Sequence, residues 1–219
     1  MTRHRAALAA LMTILGAASS DAAGATSARH LIYLHGRIVQ EQQSPRPQHP
    51  EFGYYELEKI LAAFRQRGFV VSGEMRPKAN SVSQSADHVV EQVRHLLQSG
   101  VAAERVTVVG ASMGAGIAML ASARLQEPKL RFAVLGACLD ENVRGLRAEE
   151  GKAPSGNLLA IRESSDTFTA RCSAWKDDPK AAPSLHAREI LLNTGLSHGF
   201  LYRPLPEWLN PVVDWAQAR

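Results

Sequence analysis

Cysteine is nearly missing from this chain. Cys138 and Cys172 are the only two; neither belongs to a C-x-x-C pair or has a histidine close in sequence, which argues against a thiolate metal site. Basic runs are missing too: the 25 lysines and arginines are dispersed and not interleaved with aromatics, so a pI near 9.3 carries no nucleic-acid reading. There is no internal repeat or extended low-complexity tract, and nothing suggests a second domain.

A long apolar run is also lacking. The best one, Ala6 to Ala18, follows Arg3, His4 and Arg5 and precedes Ser19, Ser20, Ala22, Ala23, Gly24 and Ala25. It is too short and too poorly flanked for a comfortable membrane span and has the layout of a signal peptide. Residues 1–25 are therefore expected to be an export signal cleaved between Ser20 and Ala25, with an uncleaved anchor as the alternative. Residues 26–219 form one globular domain, exported to the periplasm or outside, with no stable membrane span after cleavage. Its formal charge falls from +4 to +3 once Arg3, Arg5 and Asp21 are gone. An oxidising compartment permits Cys138 and Cys172 to pair, the alternative being two buried thiols.

Six apolar stretches read as strands: Leu31 to Leu34, Phe69 to Ser72, Val106 to Val109, Phe132 to Ala137, Leu158 to Ile161 and Ile190 to Leu192. Helical spacing alternates with them, in Leu57, Ile60, Leu61 and Phe64, and in Ala86, Val89, Val90, Val93, Leu96 and Leu97 after a Ser83 cap. The alternation predicts an α/β fold: a mostly parallel sheet of about six strands with helices on both faces. Arg37 to Gly53, with Pro45, Pro47 and Pro50, reads as a long loop leaving a strand end where a ligand would sit. Pro206 to Ala218 reads as a last helix that buries Trp208, Val212 and Trp215, with Asn210-Pro211 as its start.

The chemistry concentrates at Val106-Thr107-Val108-Val109-Gly110-Ala111-Ser112-Met113-Gly114-Ala115-Gly116, where a buried-strand pattern breaks into G-x-S-x-G and continues as an Ala-rich helical pattern. A bare G-x-S-x-G arises by chance in roughly one chain of this length in ten to twenty, so the weight rests on the strand before it and the helix after it. In that context Ser112 is a candidate nucleophile. Gly110 relieves the turn on the entry side, and Gly114 and Gly116 are expected to let the helix lie close to neighbouring strands.

Such a serine needs a base, and the base needs an orienting acid. His198, in Gly195-Leu196-Ser197-His198-Gly199-Phe200 after the last strand, is the histidine best placed. His88 and His95 lie in a helical pattern, His49 in the proline-rich loop, and His30 and His186 before strands. Asp166, a few residues past the fifth strand, is the favoured acid, with Glu163 as the local alternative and Asp140 or Glu141 after the fourth strand as the other. The backbone N–H of Met113 is one expected oxyanion donor. The second is expected from His35-Gly36-Arg37, where Gly36 would let the Arg37 amide turn inward.

These residues together resemble the α/β-hydrolase superfamily in its small, lidless form, similar to dienelactone-hydrolase-like and carboxylesterase-like proteins, over roughly Leu31 to Trp215. The resemblance implies a triad of Ser112, Asp166 and His198, an acyl-enzyme intermediate and hydrolysis by water; the expected substrate is a small-molecule ester, without metal or organic cofactor, the alternatives being a peptidase or thioesterase with the same triad or a non-catalytic binding protein on the same fold. Too few residues separate Ala137 from Leu158 for a cap domain, and a serine stands where true dienelactone hydrolases use cysteine. Arg37, Arg76 and Lys78, all past strand ends, read first as solvated surface charge and only second as a mark of an anionic group on the substrate. Substrate-binding residues and oligomeric state are not readable from the sequence.

Overall fold

A computed structural model describes residues 27–137, 150–168 and 185–218. The signal-like N-terminus, both cysteines, Asp140 and Glu141 lie outside the described residues.

Strands β1 (Arg29–Leu34), β4 (Phe69–Ser72), β5 (Val106–Ala111), β6 (Arg131–Leu135), β7 (Gly156–Glu163) and β8 (Leu185–Leu192) form one sheet in the order β4-β1-β5-β6-β7-β8. Every pair in it is parallel. All the strands therefore end at the same edge, and the loops carrying the candidate residues leave from there.

The period of two in the strands sorts the core into two layers. From β1 and β5, Leu31, Tyr33, Val109 and Ala111 face a cluster built with Ile60, Phe64, Trp208 and Val212. Ile32, Leu34, Val106 and Val108 face the opposite cluster with Val89, Val93, Ile117 and Leu120. The first face is covered by helices α2 (Leu57–Arg65) and α5 (Pro206–Gln217), the second by α3 (Val82–Gln98) and α4 (Met113–Leu125). Helix α4 buries residues all round its circumference, which is why its sequence is Ala-rich with no polar face.

The segment read as a long loop is structured. It holds a short helix α1 (Arg37–Gln42) and a minimal antiparallel pair, β2 (Gln48–His49) and β3 (Gly53–Tyr54). Pro45 and Pro47 do not prevent this, because their carbonyls accept the Leu57 and Tyr55 N–H groups. Two caps also differ from expectation. Helix α3 starts two residues earlier, on a capping box in which Ser81 Oγ accepts the Gln84 N–H and Gln84 reaches back to the Ser81 N–H; Ser83 instead bonds Arg124. Helix α5 starts at Pro206, in the N1 position where its missing N–H costs nothing, and Pro211 lies inside it. No helix among the described residues is long and apolar enough to cross a membrane.

Candidate active site

Ser112 sits between β5 and α4 with φ 52° and ψ −118°, a conformation an L-residue holds only when its surroundings impose it. Sterics impose it here. A Cβ on Gly110 would lie 2.2 Å from the Gly114 carbonyl oxygen, and one on Gly114 would lie 2.0 Å from the Leu34 carbonyl oxygen. Strand, turn and helix can approach this closely only with glycine at both positions. Gly116 has no such role: a Cβ there would meet nothing within 4 Å, and the residue borders the cleft. The Ser112 N–H donates to the Leu135 carbonyl at 2.8 Å, fixing the turn to β6.

His198 opens the segment after β8, directly behind Ser197, whose φ is also positive at 49°. Its Nε2 lies 2.9 Å from Ser112 Oγ and its Nδ1 lies 2.7 Å from Asp166 Oδ2. The other Asp166 oxygen accepts the Phe168 N–H at 2.9 Å, and the Asp166 side chain is fully buried. Ser112, His198 and Asp166 thus form one continuous hydrogen-bonded row drawn from three strand ends.

Glu163, weighed as an alternative acid, points elsewhere. Its carboxylate is buried and accepts the Thr194 N–H and Oγ1–H at 2.9 and 2.8 Å, the Ser165 Oγ–H at 3.1 Å and, more weakly, the Ser165 and Gly195 N–H groups at 3.3 Å. Burial alone would raise its pKa, but the Thr194 and Ser165 donors overcome that and hold it at about 2. The same Ser165 Oγ accepts the Ser197 N–H at 3.0 Å. Glu163 therefore ties the Asp166 loop to the His198 loop, a role that sequence gave no sign of.

At the turn after β1, the His35 ring and backbone are both engaged. His35 is fully buried; burial first, and the nearby Arg76 charge second, lower its pKa to about 4, so the ring is neutral at neutral pH. Its Nε2 accepts the Arg76 N–H at 3.0 Å, which leaves the proton on Nδ1, donated to the Gly36 carbonyl at 2.9 Å. A trans peptide sets N–H opposite C=O, so turning the Gly36 carbonyl to His35 turns the Arg37 N–H away from it. Gly36 itself has φ −67° and ψ 170°, open to any residue. Its lack of a side chain matters instead because it faces Ser112 Cβ and the Tyr55 ring. Arg37 and Met113 are the first residues of α1 and α4. Their N–H groups have no intrahelical partner, and both residues border the cleft containing Ser112 and His198.

That cleft holds about 890 Å³. The proline-rich segment builds one wall of it: His49 stacks on Phe52 at 4.5 Å, and Phe52 packs edge-on against Tyr202 and tilted against His198. The Glu56 N–H pins the segment to the Tyr202 carbonyl. His49 thus borders the site from a loop in which sequence gave it no role. Phe168, exposed, lies edge-on to His198 at 5.6 Å. Of the three cations past strand ends, Arg37 lines the cleft and the other two do not. Lys78 is solvent-exposed, and Arg76 is buried behind His35.

No protein-family model and no curated protein sequence matches the chain. Solved structures do match. The HSL homologue EstE7 from a metagenome library aligns at a TM-score of 0.56 and 14% identity, over 88% of this chain and 79% of that one. The thermophilic esterase Est2 from the planctomycete Thermogutta terrifontis, with propionate bound, aligns at 0.51 and 13%, over 86% and 81%. Est1E from Butyrivibrio proteoclasticus aligns at 0.51 and 11%, over 88% and 86%. The chain has the α/β-hydrolase fold.

Proposed function

We propose that this chain is an exported serine hydrolase that cleaves a carboxylic ester through an acyl-enzyme. The observation that carries the reading is the unbroken row Ser112 Oγ, His198 Nε2, His198 Nδ1, Asp166 Oδ2, at 2.9 and 2.7 Å, on a serine held at positive φ. Ser112 Oγ attacks the ester carbonyl carbon as His198 Nε2 takes its proton. Asp166 holds the ring with its proton on Nδ1 and stabilises the imidazolium. The Met113 and Arg37 N–H groups receive the oxyanion, one at the start of each helix, where the dipole adds to their hydrogen bonds. Collapse of the tetrahedral intermediate expels the alcohol, which takes the proton from His198. Water then enters by the mirror steps, releasing the acid and restoring Ser112. That Est2 is an esterase agrees with this chemistry, and the signal-like residues 1–25 support export.

The test is fluorophosphonate labelling with a panel of acyl esters, thioesters and aminoacyl amides. Wild-type protein is expected to label at Ser112 and to favour esters. Ser112→Ala is expected to lose labelling and activity together while keeping its thermal midpoint. Ester turnover by Ser112→Ala close to that of the wild type would refute the assignment, and a preference for thioester or amide would change the substrate class. The N-terminal sequence of the secreted protein tests export.

A further inference from the structure

The polar group with the least evident purpose in the described structure is Arg76. It follows β4, is 7% exposed, and does not touch the cleft. Its Nη2 donates to the His35 carbonyl at 2.6 Å and its Nε to Gln40 Oε1 at 3.1 Å, while its backbone N–H binds the His35 ring. Gln40 is in turn held by the Pro77 and Asn80 carbonyls, and Gln43 holds the Arg76 carbonyl, so the guanidinium cannot swing out to water without breaking this lattice. Its Nη1 is buried with no hydrogen-bond partner among the described residues.

Among the described residues no carboxylate is paired with it. The titratable groups that act on it are the Tyr33 and Tyr55 phenols and the His35 imidazole, while Glu74 and His88, both exposed, line the cavity it borders without bonding it. The two hydroxyls bond each other at 2.7 Å, and burial keeps both phenols protonated. All three groups are therefore uncharged at neutral pH. A buried cation without a counter-ion is among the most costly arrangements a protein can hold. If Arg76 served only to tie the turn, a neutral donor would do so at less cost.

The cost is explained by what stands in front of it. The guanidinium clamps the His35 carbonyl, one peptide before the Gly36–Arg37 peptide, while the Arg76 backbone N–H orients the His35 ring, whose Nδ1–H in turn holds the Gly36 carbonyl. Across this buried turn, where little water screens it, the positive charge acts through space on the neighbouring Arg37 N–H assigned to the oxyanion. We infer that Arg76 is the electrostatic positioning residue of the oxyanion hole, a buried guanidinium whose counter-charge is the negative oxygen that forms during the reaction. The inference rests on the serine-hydrolase reading of this site. It assigns part of the transition-state stabilisation to a residue that never meets the substrate.

The test compares Arg76→Met, which keeps the stem and removes the charge, with Arg76→Lys, which keeps the charge and loses the fork. The whole chain is used, with p-nitrophenyl acetate as substrate. The probe for the oxyanion is a trifluoromethyl ketone, which Ser112 Oγ attacks to leave a hemiketal oxygen anion in the hole. Arg76→Met is expected to lower kcat about tenfold to a hundredfold with KM within about twofold, and to weaken the ketone by the same factor as kcat. Arg76→Lys is expected to recover most of both. A purely structural role would not make kcat and ketone affinity fall in step while KM holds. The inference is overturned if folded Arg76→Met keeps both within about twofold, if kcat falls while ketone affinity does not, or if folded Arg76→Lys is as impaired as Arg76→Met. Should Arg76→Met not fold, Arg76→Lys decides alone: a loss beyond about tenfold in a folded protein refutes the role of charge. Wild-type protein that neither labels with fluorophosphonate nor turns over the ester sinks the hydrolase reading itself. Normal wild-type labelling with an unaffected Arg76→Met sinks only this inference.

Discussion

Ser112 stands at the centre of the sheet on a turn made by backbone alone, whereas Asp166 and His198 stand near its edge on two loops joined by side chains. At the centre, two missing Cβ atoms let β5, α4 and the Leu34 carbonyl touch, and the geometry follows from steric exclusion. At the edge, β8 has one neighbouring strand, and the loops keep their register through one buried carboxylate, Glu163, and the Ser165-to-Ser197 bond. A steric turn is unforgiving but local. A hydrogen-bonded junction is softer, spans some thirty residues of sequence and depends on protonation.

The largest expected effect comes from the acid at the edge. Asp166→Asn leaves a carbonyl and an amide where His198 Nδ1 needs a carboxylate, so turnover should fall by about three to four orders of magnitude with the fold intact. Asp140→Asn, measured beside it at equal folded concentration, should do far less; a larger loss for Asp140→Asn would move the acid to the end of β6.

Next comes the steric side. Gly114→Ala puts a methyl group 2.0 Å from the Leu34 carbonyl oxygen, which the backbone can relieve only by separating α4 from β1. The expected loss is about 3 kcal/mol in urea unfolding, with activity lost in the protein that remains folded. Gly116→Ala, where nothing lies within 4 Å, should keep the stability of the wild type. Equal losses at the two positions would mean that close approach does not set the elbow.

Glu163→Gln should be milder. An amide nitrogen cannot accept, so one set of donors from Thr194 or from Ser165 and Gly195 is left facing another donor. A stability loss of about 2 kcal/mol is expected, along with a roughly tenfold drop in kcat as the His198 loop loosens. The sign with pH is definite. The Glu163 pKa is depressed from 4.5 to about 2 on folding, so its stabilisation is complete above pH 4.5 and disappears as pH falls towards 2. The thermal midpoint of Glu163→Gln should lack that acid slope; an unchanged slope would show that the junction does not depend on the charge.

The smallest effect belongs to His35. Its folded pKa, about 4 against an ordinary 6.5, means the unfolded chain takes up a proton that the folded chain refuses between those values. Stability from this group is complete above pH 6.5 and declines as pH falls to 4. His35→Asn, able to donate and accept but not to titrate, should be less stable at neutral pH yet flatter across this window by thermal melting.

Sequence alone determined the alternating fold, the Ser112 turn, the helix behind it, and the order Ser112, Asp166, His198 along the chain. These are legible because they rest on local periodicity and on residue types, Gly and Ser, whose backbone limits act within a few positions. That Asp166 rather than Glu163 meets His198 needed the sheet order, which sets β7 beside β8 and gives the two carboxylates different partners; Asp140 and Glu141 lie outside the described residues. The structured proline-rich wall, the Ser81 cap and the burial of Arg76 behind His35 were likewise decided in three dimensions. Arg76 and His35 lie 41 residues apart, and Glu163 and Thr194 lie 31 apart. Whether a charged side chain meets water, a carboxylate or a backbone carbonyl depends on how distant strand ends pack, and no periodicity in the chain encodes that.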